Sequence, residues 1–185
     1  MINEIIAIYC ITDDILNAIG HQEDKRRKMN DASILTTAMT AALFFGGNHQ
    51  TAREYMVDHG LMPKMLSKSR FNRRLHAIDD LMEDLFHQLG AAFKLLSRTS
   101  EYLIDSFPVA VCHNIRISRC RLVNSPEYRG YVASKRCYFY GVRVHLLSTA
   151  DGIPVELAFL PGAAHDLRNT ARLRENRWWN KEYFV

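Results

Sequence analysis

Residues 101–111, Glu-Tyr-Leu-Ile-Asp-Ser-Phe-Pro-Val-Ala-Val, set Asp105 in the middle of an apolar run that reads as a β-strand. An ionised carboxylate costs several kcal/mol to bury alone, so one among strand-forming residues points to a metal ligand. The same residues allow a local reading. Ser106 and Pro108 follow the aspartate, and short polar side chains often end a strand by capping a turn. Two more strands are expected downstream, at Tyr138–Leu147 and Pro154–Leu160. Both are rich in β-branched and aromatic residues, and Asp151-Gly152 supplies a tight connection between them.

The residues before this region read as helices. Ile2, Ile5, Ile6, Tyr9, Leu16 and Ile19 form an apolar stripe that Gly20 and the charged run 21–28 interrupt. Asn30 is expected to cap a helix over 31–45, and Asn48 another that reaches Gly60. Ser67 opens the longest pattern, in which Phe71, Leu75, Ile78, Leu81, Leu85, Leu89 and Phe93 recur every three or four residues and form a core face. Its first turns present Lys68, Arg70, Arg73 and Arg74, and its later turns are acidic. A basic helix start after a short helix and a turn is how a helix-turn-helix offers its recognition helix to the major groove. The competing reading is an ordinary solvated face.

Charge divides unevenly. Residues 1–104 carry 12 Lys and Arg against 13 Asp and Glu, and residues 151–185 carry five of each. Between 105 and 150, Arg116, Arg119, Arg121, Arg129, Lys135, Arg136 and Arg143 face only Asp105 and Glu127, so the net +4 of the chain arises around the candidate aspartate. Clustered guanidinium groups of this kind neutralise backbone phosphates and release counterions, which makes a phosphodiester chain the natural partner, with a solvated basic loop as the competing reading. No apolar run reaches the roughly 18 residues of a membrane span, and the first residues lack the basic start of a secretory signal, so a cytoplasmic, nucleoid-associated protein is expected. Cys10, Cys112, Cys120 and Cys137 show no close zinc-type pairs, and the eight histidines form no ligand pattern.

The segment DSFPVAVC at 105–112, followed by YFYGVRVHLLSTADGIPVELAFLPG at 138–162, resembles the first half of the catalytic domain of bacterial insertion-sequence transposases of the DDE group, in particular the IS982-type branch. The resemblance implies an α+β chain: a helical DNA-binding region over 1–99, then the N-terminal half of a ribonuclease H-like domain over 100–185, with its first three strands and the start of a helix. It implies DNA strand cleavage and transfer at element ends, with Mg2+ or Mn2+ as cofactor and double-stranded DNA as substrate. A sheet of that kind cut after its third strand leaves an unpaired edge, so self-association is expected. Asp105 then corresponds to the first of three metal-binding carboxylates, with Arg116, Arg119, Arg121, Lys135, Arg136 and Arg143 guiding the DNA backbone.

The family's second carboxylate, in an acidic-Tyr motif, and its third, a late glutamate, have no counterpart here. Asp166 is expected to cap a helix and Glu175 lies in a tail that departs from the pattern. A truncated, inactive copy is therefore expected. The alternative is a non-catalytic DNA-binding or regulatory fragment.

Overall fold

The computed structural model describes residues 1–24, 26–97 and 101–164. The expected capping role of Asp166, and Glu175 with the rest of the tail, lie outside the described residues. The chain divides into two compact units, Met1–Gln88 and Leu89–Val185, with the boundary inside a helix.

The first unit is helical: α1 (Ile2–Ala18), α2 (Asp31–Phe44), α3 (His49–Asp58), α4 (Lys68–His76) and the first turns of α5 (Asp79–Leu96). Helix α2 is its centre, with every residue from Asp31 to Ala38 buried. A helix buried on all sides is one whose sequence lacks a charged face, and the small Ala, Ser and Thr side chains of α2 let neighbours approach closely. Asn30 accepts the Ser33 N–H at 2.9 Å and Asn48 accepts those of Gln50 and Thr51, so both expected caps form. Leu16, Met29, Ala32, Ile34, Leu35, Phe71 and Ile78 make the core. Fully burying a side chain such as Phe71 contributes about 2–3 kcal/mol. On α1 the buried line is Ile5, Thr12 and Leu16, whereas Ile2, Ile6 and Ile19 of the expected stripe are exposed.

The single helix expected from Ser67 onward is two. Helix α4 stops at His76, Ala77 caps it, and α5 begins at Asp79. The charge switch along the pattern has a physical reason: basic Arg73, Arg74 and His76 suit the C-terminal dipole of α4, and Asp79 and Asp80 suit the N-terminal dipole of α5. Apolar spacing continues across the break because Ile78 remains buried in it.

Asp31 is the pivot of this unit. It is fully buried at the first position of α2, 3.0 Å from His21 Nε2 and 2.9 Å from an Arg27 guanidinium nitrogen, and it also accepts from Arg74 of α4. Its own N–H donates to the Glu23 carboxylate. Burial alone pushes the Asp31 carboxyl up, but hydrogen bonds from His21 and Arg74 and the charges of Arg74 and Arg27 outweigh it and hold the group below its ordinary value of 3.8.

In the second unit four strands form an antiparallel sheet: β1 (Tyr102–Cys112), β2 (Arg129–Val132), β3 (Cys137–Thr149) and β4 (Pro154–Pro161). The three expected strands form, and β2 is an additional short strand within the basic stretch. Strand β3 is central. Along one side it pairs with β1, and along the other with β4 and β2 end to end, because Val142 meets both Val109 and Pro161 while Tyr140 meets both Cys112 and Arg129. The β3–β4 hairpin closes through the Gly152 N–H to the Thr149 carbonyl, with Gly152 at φ 81°, a conformation that Asp-Gly turns supply.

The part of α5 that belongs to this unit, from Leu89 on, lies on the sheet face that carries Leu147. Lys94 ion-pairs with Glu156, the residue opposite Leu147, and a Cβ on Gly90 would overlap the Val155 carbonyl. Phe139, His145, Leu147 and Thr149 are buried on this face. The opposite face is open among the described residues, with Leu103 and Phe159 about 60% exposed.

Replacing Asp31 by Asn is expected to destabilise the helical unit by about 3–5 kcal/mol, because Arg27 and Arg74 lose their buried counter-charge. The folded pKa of Asp31 is depressed, so its contribution is complete above 3.8 and is lost as pH falls through the folded value. Urea titrations at pH 7 and pH 3 check both points, with a smaller acid sensitivity expected in the variant. Gly90→Ala is expected to lower the stability of the second unit by about 1–3 kcal/mol through overpacking against Val155. Alanine is the better helix former by about 1 kcal/mol, so thermal unfolding reads a sign opposite to helix propensity.

Candidate functional site

Asp105 occupies the interior of β1, with seven further strand residues after it, Ser106 to Cys112. It therefore does not end a strand, and the local capping reading of the sequence fails on that point. The carboxylate is exposed, and its Oδ1 accepts the Ser106 N–H at 2.7 Å. Asp105 pairs directly with Leu146, and alternation along the strands puts Leu103, Phe107, Val109, Val144 and Leu146 on the same face. This is the open face of the sheet. An acidic group there stands on an apolar floor that β1, β3 and β4 hold rigid.

The fit to a metal centre can be tested on the donor set. Magnesium prefers several oxygen ligands, and a two-ion centre needs bridging carboxylates. Among the described residues Asp105 belongs to no group of three or more His, Cys, Asp or Glu side chains within ligand distance. One carboxylate does not fit a two-metal centre. The group that does assemble is His21, Glu23 and Asp31 in the helical unit. There, two guanidinium groups already occupy the buried Asp31 carboxylate, so its chemistry is that of an ion-pair network.

The basic residues fall into distinct places. Arg116 and Arg119 sit in an exposed 3-10 turn at 114–119 just after β1, and Arg121 is exposed beside it. Lys135 and Arg136 form the exposed tip between β2 and β3, where Arg136 adopts φ 49°. Arg143 is half-buried and lies three residues from Leu146, so it projects on the face opposite Asp105. In the helical unit Lys68, Arg70 and Arg73 are exposed on α4, whereas Arg74 turns inward to Asp31. The connection from α3 to α4 runs from His59 to Ser67, longer than the three- or four-residue turn of a compact helix-turn-helix.

Two features had no place in the reading of the sequence. The Cys112 and Cys120 thiols lie close enough across the basic turn to influence each other's titration. Desolvation and the neighbouring thiol push Cys112 up, and the Val123 and Leu122 N–H groups pull Cys120 down. Arg129 lies over the Tyr138 ring at 4.3 Å from its centroid, and Tyr131 packs beside it. The alternation of β2 and its pairing with β3 would have shown the second group, had β2 been recognised as a strand.

No curated protein and no solved structure matches the chain. Residues 96–180, which include all four strands, match the family model described as the transposase DDE domain. This segment is thus similar to a transposase DDE domain, and the match supports a transposase function and with it an enzyme class that acts on DNA.

Proposed function

We propose that the chain serves DNA transposition as a DDE transposase of a bacterial insertion sequence, of the IS982-like branch, with residues 1–99 gripping DNA and residues 100–185 forming part of a ribonuclease H-like catalytic domain. The observation that carries this reading is Asp105, held in the interior of β1 on the open face of an antiparallel β1-β3-β4 sheet, within the segment similar to a DDE domain. In this reading Asp105 is the metal-ligating carboxylate, and Arg116, Arg119, Arg121, Lys135 and Arg136 guide the DNA backbone toward it from the other end of the sheet. Arg143 supports the sheet from the other face. Lys68, Arg70 and Arg73 of α4 meet the duplex, and Arg74 fixes the angle of that helix through Asp31. Among the described residues β1 pairs only with β3 and is an exposed apolar edge, which makes self-association part of the same reading, since such an edge invites further pairing.

A second reading, a non-catalytic DNA-binding or regulatory chain, is favoured by one observation. Among the described residues Asp105 belongs to no group of three or more side chains that could hold a metal ion.

Fluorescence anisotropy of a duplex across a salt series tests the DNA contacts. Each phosphate contact adds about 0.9 to the slope of log affinity against log salt. Replacing Lys68, Arg70 and Arg73 together by Ala is expected to weaken binding and flatten that slope, and an unchanged slope would remove α4 from the interface. Arg74→Ala is expected instead to lower the unfolding temperature of the helical unit, because it strips a partner from the buried Asp31.

Activity separates the two readings. The 185-residue chain is expected to show no magnesium- or manganese-dependent nicking or joining, because among the described residues no ligand group forms around Asp105 to build a two-ion clamp. Metal-dependent nicking that Asp105→Ala abolishes would establish catalysis by the chain itself.

A further inference from the structure

The β2–β3 hairpin carries a group of side chains that phosphate binding does not account for. Tyr131 and Tyr138 are directly opposite each other in the register, with ring centroids 4.9 Å apart and planes at 50°. Both are about half exposed, at 46% and 52%. Arg129, two residues from Tyr131 and hence on the same face, lies with its guanidinium 4.3 Å from the Tyr138 centroid. One residue pair further on, Lys135 and Arg136 form the exposed tip. The strand beneath is pinned, since Asn114 Nδ2 donates to the Tyr138 carbonyl at 2.8 Å.

Two solvent-facing rings on a rigid hairpin, bracketed by three cations, suit a ligand that offers a flat π-face on a phosphate-bearing chain. Aromatic side chains that stack bases, next to basic side chains that track the backbone, are how proteins hold single strands. A closed duplex hides its base faces, so the occupant must be an unpaired base at a strand end, an overhang or a nick. The placement supports this. Tyr138 and Leu146 lie an even number of residues apart on β3, so the rings share a face with Asp105, about 27 Å away along the strand.

We propose that Arg129, Tyr131 and Tyr138 form a stacking platform for an unpaired nucleobase, with Lys135 and Arg136 holding the adjoining phosphates. The proposal rests on the DNA reading above and deepens it: the second unit takes a single-stranded end as well as a duplex.

The test uses the full chain, a blunt duplex, and the same duplex with a three-nucleotide overhang containing 2-aminopurine. The wild type is expected to bind the overhanging DNA more tightly and to quench the overhang 2-aminopurine, but not one placed inside the duplex. Tyr131→Leu with Tyr138→Leu keeps apolar strand residues, and is expected to lose about tenfold or more in affinity for the overhang while its blunt-duplex affinity stays. Tyr131→Phe with Tyr138→Phe is expected to retain both, because stacking needs the ring and not the hydroxyl. Equal wild-type affinity for the two DNAs with no selective quenching would overturn the platform alone, as would a loss in the Leu variant that both DNAs share, or a loss of overhang affinity in the Phe variant. A chain that binds neither DNA would overturn the DNA reading and the platform with it.

Discussion

Strand β3 is the constraint on which the second unit depends. Thirteen residues long, it is paired on both sides, and each candidate functional group of the sheet takes its position from that pairing. The register Asp105↔Leu146 fixes which face the carboxylate occupies, and Tyr131↔Tyr138 brings two rings together. A slip of one residue in either register would turn these side chains to the covered face, where α5 packs through Gly90 and Lys94. Burial of Phe139, His145, Leu147 and Thr149 on that covered face resists such a slip. The open face thereby inherits a defined arrangement although little packs on it among the described residues.

The helical unit shows how one buried charge decides which basic residues are free for a partner. Asp31 has no contact with solvent, so its desolvation must be offset by several donors, and α4 supplies one of them. Arg74 is therefore structural in geometry, while Lys68, Arg70 and Arg73 on the same short helix remain at the surface. The same network docks the segment that follows α1, through His21, Glu23 and Arg27, onto the N-terminus of α2. A negative side chain at that end also meets the positive end of the helix dipole. Charge composition alone treats all four basic residues of α4 alike, and only the partner distinguishes them.

Local chemistry written into the sequence decided much of this protein. Asn30 and Asn48 cap their helices because an Asx side chain satisfies N–H groups two or three residues away, and Asp151-Gly152 turns a hairpin because Gly152 accepts a positive φ. The apolar runs around Asp105 and from Tyr138 onward made the strands legible, and the basic excess between them marked the region similar to a DDE domain. What the sequence left open depended on distant partners. The break after His76 was hidden because Ile78 kept the apolar spacing, and β2 was hidden because four residues, Arg-Gly-Tyr-Val, are a strand only where β3 lies alongside. The inward turn of Arg74, the outward face of Asp105, and the meeting of Arg129, Tyr131 and Tyr138 were settled by tertiary structure alone. Each depends on a residue between seven and 43 positions away, and no local pattern carries that pairing.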